Sequence, residues 1–220
     1  MSRRFVDVEQ GDPAWLKLRC GLITGSRISD VLAYKKTVKA GVQEEMAIRA
    51  NYRMDLVAGR LTGLSPSKFV NSSMQWGTDH EPEARAIYEL AQDVMVDRIG
   101  FAIHPTLDFS GASPDGLMGD GILEIKCPET TTHLRWMLEG VVPEEHRPQM
   151  TWEMVCCEAT WGHFVSYDPR LPEELRMFVV EYKLDAEFAD LIEREVIKFN
   201  AEIEATIAKL REAASGLRAA

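Results

Sequence analysis

Two carboxylates and one lysine lie close together near the middle of this 220-residue sequence. Asp115 belongs to the segment Ser-Pro-Asp-Gly, and Glu124 and Lys126 follow in Leu-Glu-Ile-Lys. Residues 121–126 have the composition of a strand, so Glu124 and Lys126, two positions apart, point to the same face. The proline and glycine beside Asp115 indicate a turn. We therefore expect a hairpin in which Asp115, at the end of the neighbouring strand, approaches Glu124.

Such a patch has the groups that phosphodiester hydrolysis requires. Carboxylate oxygens, with the main-chain carbonyl of Ile125 as a further ligand, can hold Mg²⁺, which accepts few protein ligands and keeps several waters. A nearby ammonium can orient or deprotonate the attacking water, or stabilise the developing charge. A surface hairpin with an ordinary ion pair is the alternative, because this spacing also arises by chance.

Composition excludes several classes of protein. Hydrophobic residues make up 45% and charged residues 27% of the chain, as in soluble globular proteins. No apolar run approaches the ~20 residues of a membrane span, so no membrane association is expected. The four cysteines form no Cys-x-x-Cys pair and the five histidines form no zinc motif, which favours free thiols in a reducing cytoplasm.

The net charge of −10 argues at first against a nucleic-acid partner. The charge is unevenly distributed, however: residues 1–60 carry 11 Lys+Arg against 7 Asp+Glu, and the other 160 residues carry 14 against 28. A locally basic surface can still bind phosphate, because screening by salt limits the reach of distant charges to roughly 8–10 Å. Charge alone favours an ordinary acidic enzyme.

The pattern of elements predicts one domain over residues 1–220, of the α/β (mixed α+β) class, with a mixed central sheet flanked by helices. The predicted helices cover 13–19, a short capped segment after 24–26, 42–59, 73–91, 130–139, 143–158 and about 185–213, with Pro82 in the first turn or at a kink of the fourth. The predicted strands cover 94–103, 109–112, 121–126, 161–167 and 176–183. Lys35, Lys36 and Lys39 are expected in a loop before the third helix.

Several short motifs occur in collinear order over roughly residues 5–183. They are Glu9-Gln10-Gly11-Asp12, Trp15-Leu16-Lys17-Leu18-Arg19, Ile23-Thr24-Gly25-Ser26, Trp76-Gly77 with Glu81 and Ala84-Arg85, Ser113-Pro114-Asp115-Gly116-Leu117, Leu123-Glu124-Ile125-Lys126-Cys127-Pro128 and Tyr167-Asp168-Pro169-Arg170. Through these motifs the chain resembles the lambda-exonuclease and YqaJ-type viral recombinase family, within the PD-(D/E)xK nuclease superfamily. The C-terminal helix resembles that of the family only in its general character and shares none of these motifs.

The resemblance implies a role for each residue of the patch. Asp115 and Glu124 resemble the metal-binding acids, with the carbonyl of Ile125 beside them, and Lys126 resembles the catalytic lysine. Glu81 resembles the helix-borne acid that completes the site. The alternative for Glu81 is a solvated helix carboxylate, which is the usual environment of glutamate.

Arg19 and Ser26 resemble the pocket that binds the 5′-phosphate at a DNA end. Arginine suits this role because its guanidinium can donate to two phosphate oxygens at once. The alternative is structural: Arg19 would be a cation at the end of its helix, and Ser26 would be a helix cap.

The helix after the lysine motif departs from the family pattern. The family often carries Gln-x-Gln there, whereas this chain has Gln149-Met150-Thr151, and the second position is the one usually linked to the active site. Gln149 and Thr151 are therefore both candidate site residues, and threonine has the shorter reach. Glu153 could compensate, although a solvated position on the helix is favoured for it.

The resemblance implies a Mg²⁺-dependent exonuclease, with two metal ions and Mn²⁺ as a substitute, that degrades the 5′-ended strand of a double-stranded DNA end. It would release mononucleotides and leave 3′ single-stranded tails. The resemblance also implies a ring-shaped homotrimer, a single-strand annealing protein as partner, and a phage or prophage origin. The alternatives are an endonuclease of restriction or repair type on the same core, and a non-catalytic module that binds DNA ends.

Overall fold

The computed structural model describes residues 4–39, 42–64 and 72–218. The strands are β1 (Arg4–Val6), β2 (Ile23–Thr24), β3 (Tyr34–Lys39), β4 (Val42–Glu45), β5 (Phe101–Ile103), β6 (Ser110–Ala112), β7 (Gly116–Met118), β8 (Gly121–Lys126), β9 (Trp161–Tyr167) and β10 (Met177–Lys183). The α-helices are α1 (Pro13–Leu18), α2 (Ile28–Val31), α3 (Ala47–Thr62), α4 (Ser72–Gln92), α5 (Thr130–Glu139), α6 (Arg147–Cys157) and α7 (Ala186–Arg218). Gly25–Arg27 and Glu173–Leu175 are 3₁₀ turns.

The strands form two mixed four-stranded sheets and one hairpin. The first sheet has the order β1-β5-β6-β2, the second has the order β10-β9-β8-β7, and β3 pairs with β4. Strands β8 and β9 are parallel, with Glu124 opposite Phe164, and the connection between them contains α5 and α6. Such a crossover is what parallel neighbours require, and it places α6 beside the strand that carries Glu124. The predicted mixed α/β class with flanking helices is confirmed, but the strands of the described residues are divided between separate sheets where one central sheet was predicted.

The long helix α7 supplies one wall of the main core. Ile192, Val196, Phe199 and Ile203 are fully buried and recur at helical spacing, which explains why this face packs against the rest of the fold. The ring of Phe199 lies 5.6 Å from the ring of Tyr52 on α3. The helix was predicted over about 185–213, and the interpretation of residues 1–220 as one domain stays a prediction.

A buried arginine joins α3 to α7. Arg49 is 1% exposed, and its Nε donates to the carbonyl oxygen of Val31 at 2.9 Å. Its two terminal nitrogens donate to Glu202 on α7 at 2.7 and 3.0 Å, and Nη1 also donates to Glu45 at 2.9 Å. The guanidinium lies 4.7 Å from the ring centre of Phe199. Hydrogen bonds to Val31 and Glu202 therefore hold the guanidinium in place, so this side chain sets the distance between the two helices.

The prediction of a helix over 42–59 is wrong at its beginning. Residues Val42–Glu45 pair with Tyr34–Lys39 as a β-hairpin, and the helix begins at Ala47. The lysines expected in a loop lie instead on β3, where Lys35 forms an ion pair with Glu44 at 2.8 Å. The charged residues of β4 are good helix formers, so the local pattern did not reveal that strand pairing outweighs their propensity.

Two further boundaries differ from prediction. Within 94–103 only Phe101–Ile103 forms a strand, because the amide of Val96 is bound by the side chain of Glu89 at 2.8 Å and Asp97 makes a single bridge to Leu117. Pro82 lies inside α4, so of its two predicted placements the one in the first turn is wrong. None of the helices in the described part of the chain combines the length and the apolar character of a membrane span.

We predict that Arg49→Met lowers the free energy of unfolding by about 2–3 kcal/mol. The methionine keeps the aliphatic contacts, but the hydrogen bonds to Glu202 and to the carbonyl of Val31 are lost. The loss stays moderate because Glu45 and Glu202 keep Arg53 as a partner, at 2.7 and 3.1 Å. Urea unfolding followed by circular dichroism measures the effect, with the exposed Lys209→Met as matched control. Equal midpoints for the two variants would contradict the prediction.

Candidate active site

The hairpin of β7 and β8 brings Asp115 next to Glu124. Gly116 lies opposite Leu123 in the register, and the amide of Asp115 donates to the carbonyl of Leu123 at 3.0 Å. The carboxylate oxygen Oδ2 of Asp115 accepts from the amide of Ile125 at 2.6 Å. The turn lies after Met118 and not beside Asp115 as predicted, because Gly119 adopts a φ of +62°, which glycine tolerates without strain. The predicted approach of the two acids is confirmed.

Glu124 and Lys126 lie on the same face of β8, as their spacing predicted. The ammonium of Lys126 donates to Oε1 of Glu124, and the side chain of Glu124 is 1% exposed against 29% for Lys126. Burial by itself would lower the pKa of Lys126. The negative charges of Glu124 and Asp115 outweigh burial and raise that pKa. Lys126 is therefore held as a cation that donates hydrogen bonds.

Helix α6 adds two more groups to this cluster. The side-chain NH₂ of Gln149 donates to Oε1 of Glu124 at 2.5 Å and to Oε1 of Glu153 at 2.8 Å. Residues 149 and 153 are one helical turn apart and so share a face. Glu153 is 1% exposed, so the favoured expectation of a solvated position for it is wrong. Gln149, one of the two candidate residues on this helix, lies in the cluster.

Thr151 lies on a different face of α6. It is fully buried, and its hydroxyl lies 3.1 Å from the hydroxyl of Tyr182 on β10. The structure therefore does not bring Thr151 to the carboxylates, although the second glutamine position had made it a candidate site residue. The physical reason is helical geometry, because residues two apart on a helix do not share a face.

Glu81 reaches the same cluster from α4. Its carboxylate forms an ion pair with Arg85 one turn further along the helix. Burial raises the pKa of Asp115 well above its usual value, and the charges of Glu124 and Glu81 raise it further. Burial, followed by the charges of Glu81 and Asp115, raises the pKa of Cys127 to about 12. Glu81 therefore lies close enough to contribute to the negative potential around Asp115.

The cluster fits a divalent cation held by few protein ligands. Oε2 of Glu124 is buried and has no hydrogen-bond partner in the described structure, and the same holds for Oε2 of Glu153. Burial and the neighbouring charge of Glu124 raise the pKa of Glu153 well above its usual value, which shows how concentrated the negative charge is. No three His, Cys, Asp or Glu side chains among the described residues form a preformed cage. Mg²⁺ does not need one, since it binds through one or two carboxylates and keeps its waters.

Arg19 and Ser26 lie together beside this cluster. Nη2 of Arg19 lies 3.4 Å from the hydroxyl of Ser26, and the guanidinium stacks 3.8 Å from the ring centre of Trp15. The indole nitrogen of Trp15 donates at 3.0 Å to the hydroxyl of Ser113, two residues before Asp115. Arg19 is thus positioned by a residue that is itself attached to the active-site segment.

Arg19 remains a cation at neutral pH although its pKa is lowered. Burial lowers its pKa to about 10, while Tyr52 and Glu153 act in the opposite direction. The 3₁₀ turn that carries Ser26 packs directly on α6: a Cβ atom built on Gly25 would lie 3.6 Å from Cγ of Glu153. The arginine–serine pair and the carboxylate cluster are therefore neighbours.

Two further motifs of the sequence meet each other and not the carboxylates. The guanidinium of Arg170 lies 4.4 Å from the ring centre of Trp76, and its Nε donates to the fully buried Asp168 at 2.8 Å. Asp168 also accepts from the hydroxyl of Thr130 at 2.6 Å. The Tyr-Asp-Pro-Arg motif thereby ties the end of β9 to the starts of α4 and α5, which position the site.

Comparison with known proteins agrees with this geometry. Residues 14–160 match the YqaJ-like viral recombinase domain. The chain belongs to the YqaJ-like viral recombinase family. Two solved structures of LHK-Exo, described as an alkaline exonuclease from Laribacter hongkongensis, are 40% identical to this YqaJ-like chain and cover 94% of it and 100% of their own length. Their TM-scores are 0.84, for the complex with dAMP, and 0.82.

A more distant match supports the fold alone. A phage-related exonuclease from Haemophilus somnus 129PT is 14% identical to this YqaJ-like chain, with a TM-score of 0.66 over 86% of the chain and 96% of its own length. The comparison with curated protein sequences finds no match. The family predicted from the motifs is confirmed, and the mixed α/β fold is that of these exonuclease structures.

Proposed function

We propose that this protein is a Mg²⁺-dependent exonuclease that degrades the 5′-ended strand of double-stranded DNA, releases mononucleotides and leaves 3′ single-stranded tails. The observation that carries the proposal is the buried cluster of Asp115, Glu124 and Lys126 with an unsatisfied carboxylate oxygen beside the Arg19–Ser26 pair. The relationship to LHK-Exo, an alkaline exonuclease that was solved with dAMP, supports it.

Asp115 and Glu124 would hold the metal, together with the main-chain carbonyl of Ile125, as in the PD-(D/E)xK pattern. We propose Mg²⁺, with two ions in the working enzyme and Mn²⁺ as a substitute. When bound, the metal would stabilise the negative charge on the phosphate and make a water more acidic. Glu81 adds a further carboxylate on the side of α4.

Lys126 would orient the attacking water and stabilise charge on the phosphate oxygens. Its ammonium donates to Glu124, which holds it in the cluster. Burial by itself lowers the pKa of Lys126, but the charges of Glu124 and Asp115 raise it, which supports a role as a cationic hydrogen-bond donor.

Arg19 and Ser26 would bind the terminal 5′-phosphate. The guanidinium offers several donors, and the exposed hydroxyl of Ser26 adds another. The contact between the 3₁₀ turn and Glu153 supports this role, because a strand whose end is bound by Arg19 and Ser26 would present a phosphodiester to the nearby carboxylates. An endonuclease would have no use for such a pocket, and a non-catalytic module would have no use for Lys126 beside two carboxylates.

We further propose that the protein acts in phage-type recombination, as a homotrimeric ring together with a single-strand annealing protein. None of the four cysteines, which all lie in the described part of the chain, forms a disulfide bond, in keeping with a reducing cytoplasm. A ring is physically suited to an acidic enzyme: the subunits can turn basic N-terminal surfaces toward the duplex and acidic surfaces outward. A ring that encloses the duplex then retains it with little net electrostatic attraction.

The first test is release of mononucleotides from linear duplex DNA in Mg²⁺. We predict activity on linear and none on closed circular DNA, and loss of at least about 10³-fold in Asp115→Ala, Glu124→Ala and Lys126→Ala, as expected for groups that act in the transition state. Ca²⁺ is expected to support DNA binding but little cleavage, because its coordination is looser. Cleavage of closed circles favours the endonuclease alternative. Binding of ends without Mg²⁺-dependent release favours the non-catalytic module.

The second test concerns the end pocket. We predict that the wild type degrades 5′-phosphorylated duplex roughly 10- to 100-fold faster than 5′-hydroxyl duplex, since a charge-assisted hydrogen bond contributes on the order of 1.5–3 kcal/mol. Arg19→Ala should remove most of this difference. Initial rates on the two substrates measure it, with the exposed Lys17→Ala on the preceding helix as control. Equal wild-type rates on 5′-phosphorylated and 5′-hydroxyl duplex would exclude a 5′-phosphate pocket at Arg19 and Ser26.

The third test concerns assembly. We predict a solution mass three times that of one chain, and long runs of digestion per binding event, because closed cyclic symmetry prevents the enzyme from leaving the duplex sideways. Light scattering coupled to size exclusion measures the mass, and addition of a heparin trap during digestion measures the run length. A monomer mass at micromolar concentration, with digestion that stops when the trap is added, would contradict the proposed ring-shaped trimer.

A further inference from the structure

Glu153 is a buried carboxylate to which the function proposed above assigns no task. It lies on α6 with 1% of its surface exposed. Its Oε1 accepts a hydrogen bond from the side-chain NH₂ of Gln149 at 2.8 Å, and its Oε2 is buried with no hydrogen-bond partner in the described structure. A carboxylate is costly to bury, so its position between the cluster and the Arg19–Ser26 pair requires a physical explanation.

The contact with Gln149 decides how Glu124 is held. A primary amide has two N–H donors, and here one donates to Glu153 and the other to Oε1 of Glu124 at 2.5 Å. Rotating the amide by a half-turn would bring its carbonyl oxygen against two carboxylates, which is strongly unfavourable. Glu153 therefore fixes the orientation in which Gln149 donates to Glu124.

Glu124 in turn is left with one free oxygen. Its Oε1 accepts from both Gln149 and Lys126, whereas its Oε2 has no partner in the described structure. The two donors on Oε1 fix the rotation of the carboxylate. Oε2 is thereby kept available to a ligand from outside the chain, such as a cation.

Glu153 lies beside the 3₁₀ turn Gly25–Arg27. A Cβ atom at Gly25 would make an ordinary contact of 3.6 Å with Cγ of Glu153 and a tight contact of 3.1 Å with Cβ of Ala112 on β6. The turn therefore bounds one side of the Glu153 side chain.

We propose that Glu153 is a positioning residue that sets the affinity of the site for its divalent cation by fixing Gln149 against Glu124. The inference rests on the proposed metal site at Asp115 and Glu124. Groups that orient the ligands of a metal typically change its affinity 10- to 100-fold when they are removed. Glu153 acts through a hydrogen bond to Gln149 and not through its charge, and this distinction makes the inference testable.

The variants follow from that distinction. Glu153→Ala removes the acceptor, frees the amide of Gln149 and should weaken cation binding by about 10-fold or more. Glu153→Gln keeps an acceptor oxygen at the same reach and should stay within about threefold of the wild type. Gln149→Ala should be as weak as Glu153→Ala. The double variant should be no weaker than Gln149→Ala alone, because both changes remove one interaction.

Titration of the full chain with Ca²⁺ by isothermal calorimetry measures the affinity without hydrolysis of any substrate. The Mg²⁺ concentration for half-maximal digestion, and kcat and KM for linear duplex, are measured alongside. We expect a higher Mg²⁺ requirement in Glu153→Ala with an unchanged KM for DNA. The exposed Glu187→Ala on α7 serves as control for the loss of one negative charge, and thermal melts verify that each variant folds. Should Glu153→Ala not fold, Gln149→Ala and Glu153→Gln test the same contact.

Three results would overturn the inference: wild-type Ca²⁺ affinity in both Glu153→Ala and Gln149→Ala, equal weakening in Glu153→Gln and Glu153→Ala, or additive losses in the double variant. Equal weakening would make Glu153 a direct ligand that acts through its charge. A wild type that binds Ca²⁺ but does not digest DNA would contradict the proposed function and leave this inference standing. A wild type that digests DNA, with Glu153→Ala unaffected, would contradict the inference alone.

Discussion

The concentration of negative charge inside one hairpin is the constraint on which the rest of the site depends. Asp115 and Glu124 are neighbours across β7 and β8, and burial weakens the screening of their repulsion. The fold opposes this repulsion with oriented donors: the amide of Ile125 on Asp115, and Lys126 with Gln149 on Glu124. These donors stabilise one oxygen of each acid. Oε2 of Glu124 has no such partner in the described structure, and the cation proposed for the site would supply one.

Three features of the secondary structure bring these groups together. The hairpin turn at Gly119 sets the register, the parallel pairing of β8 with β9 brings α6 over the strand, and the 3₁₀ turn Gly25–Arg27 then covers α6. Arg49 fixes α3 against α7 on the other side of the core. The groups around the carboxylates therefore come from three parts of the chain: α4, α6 and the segment that carries Arg19.

The local part of the site could be predicted from sequence, and the part that depends on distant contacts could not. Glu124 and Lys126 share a face because strands alternate, and Asp115 follows from a hairpin a few residues long. The burial of Glu153 depends on a turn near Gly25, more than a hundred residues earlier, so its surroundings were invisible in the local pattern. The β3–β4 hairpin was missed for a similar reason, because glutamates such as Glu44 have helical propensity and only the pairing partner reverses it.

The parallel pairing of β8 with β9 also constrains how the protein folds. Parallel neighbours cannot be joined by a tight turn, and Ser166, which pairs with Lys126, lies 40 residues further along the chain, beyond α5 and α6. The β7–β8 hairpin, by contrast, can form within microseconds as an isolated unit. Closure of the longer loop is slow because its entropy is lost before its contacts form. Gln149, the donor that α6 supplies to Glu124, therefore depends on this longer loop, whereas the amide of Ile125 and the ammonium of Lys126 belong to the hairpin itself.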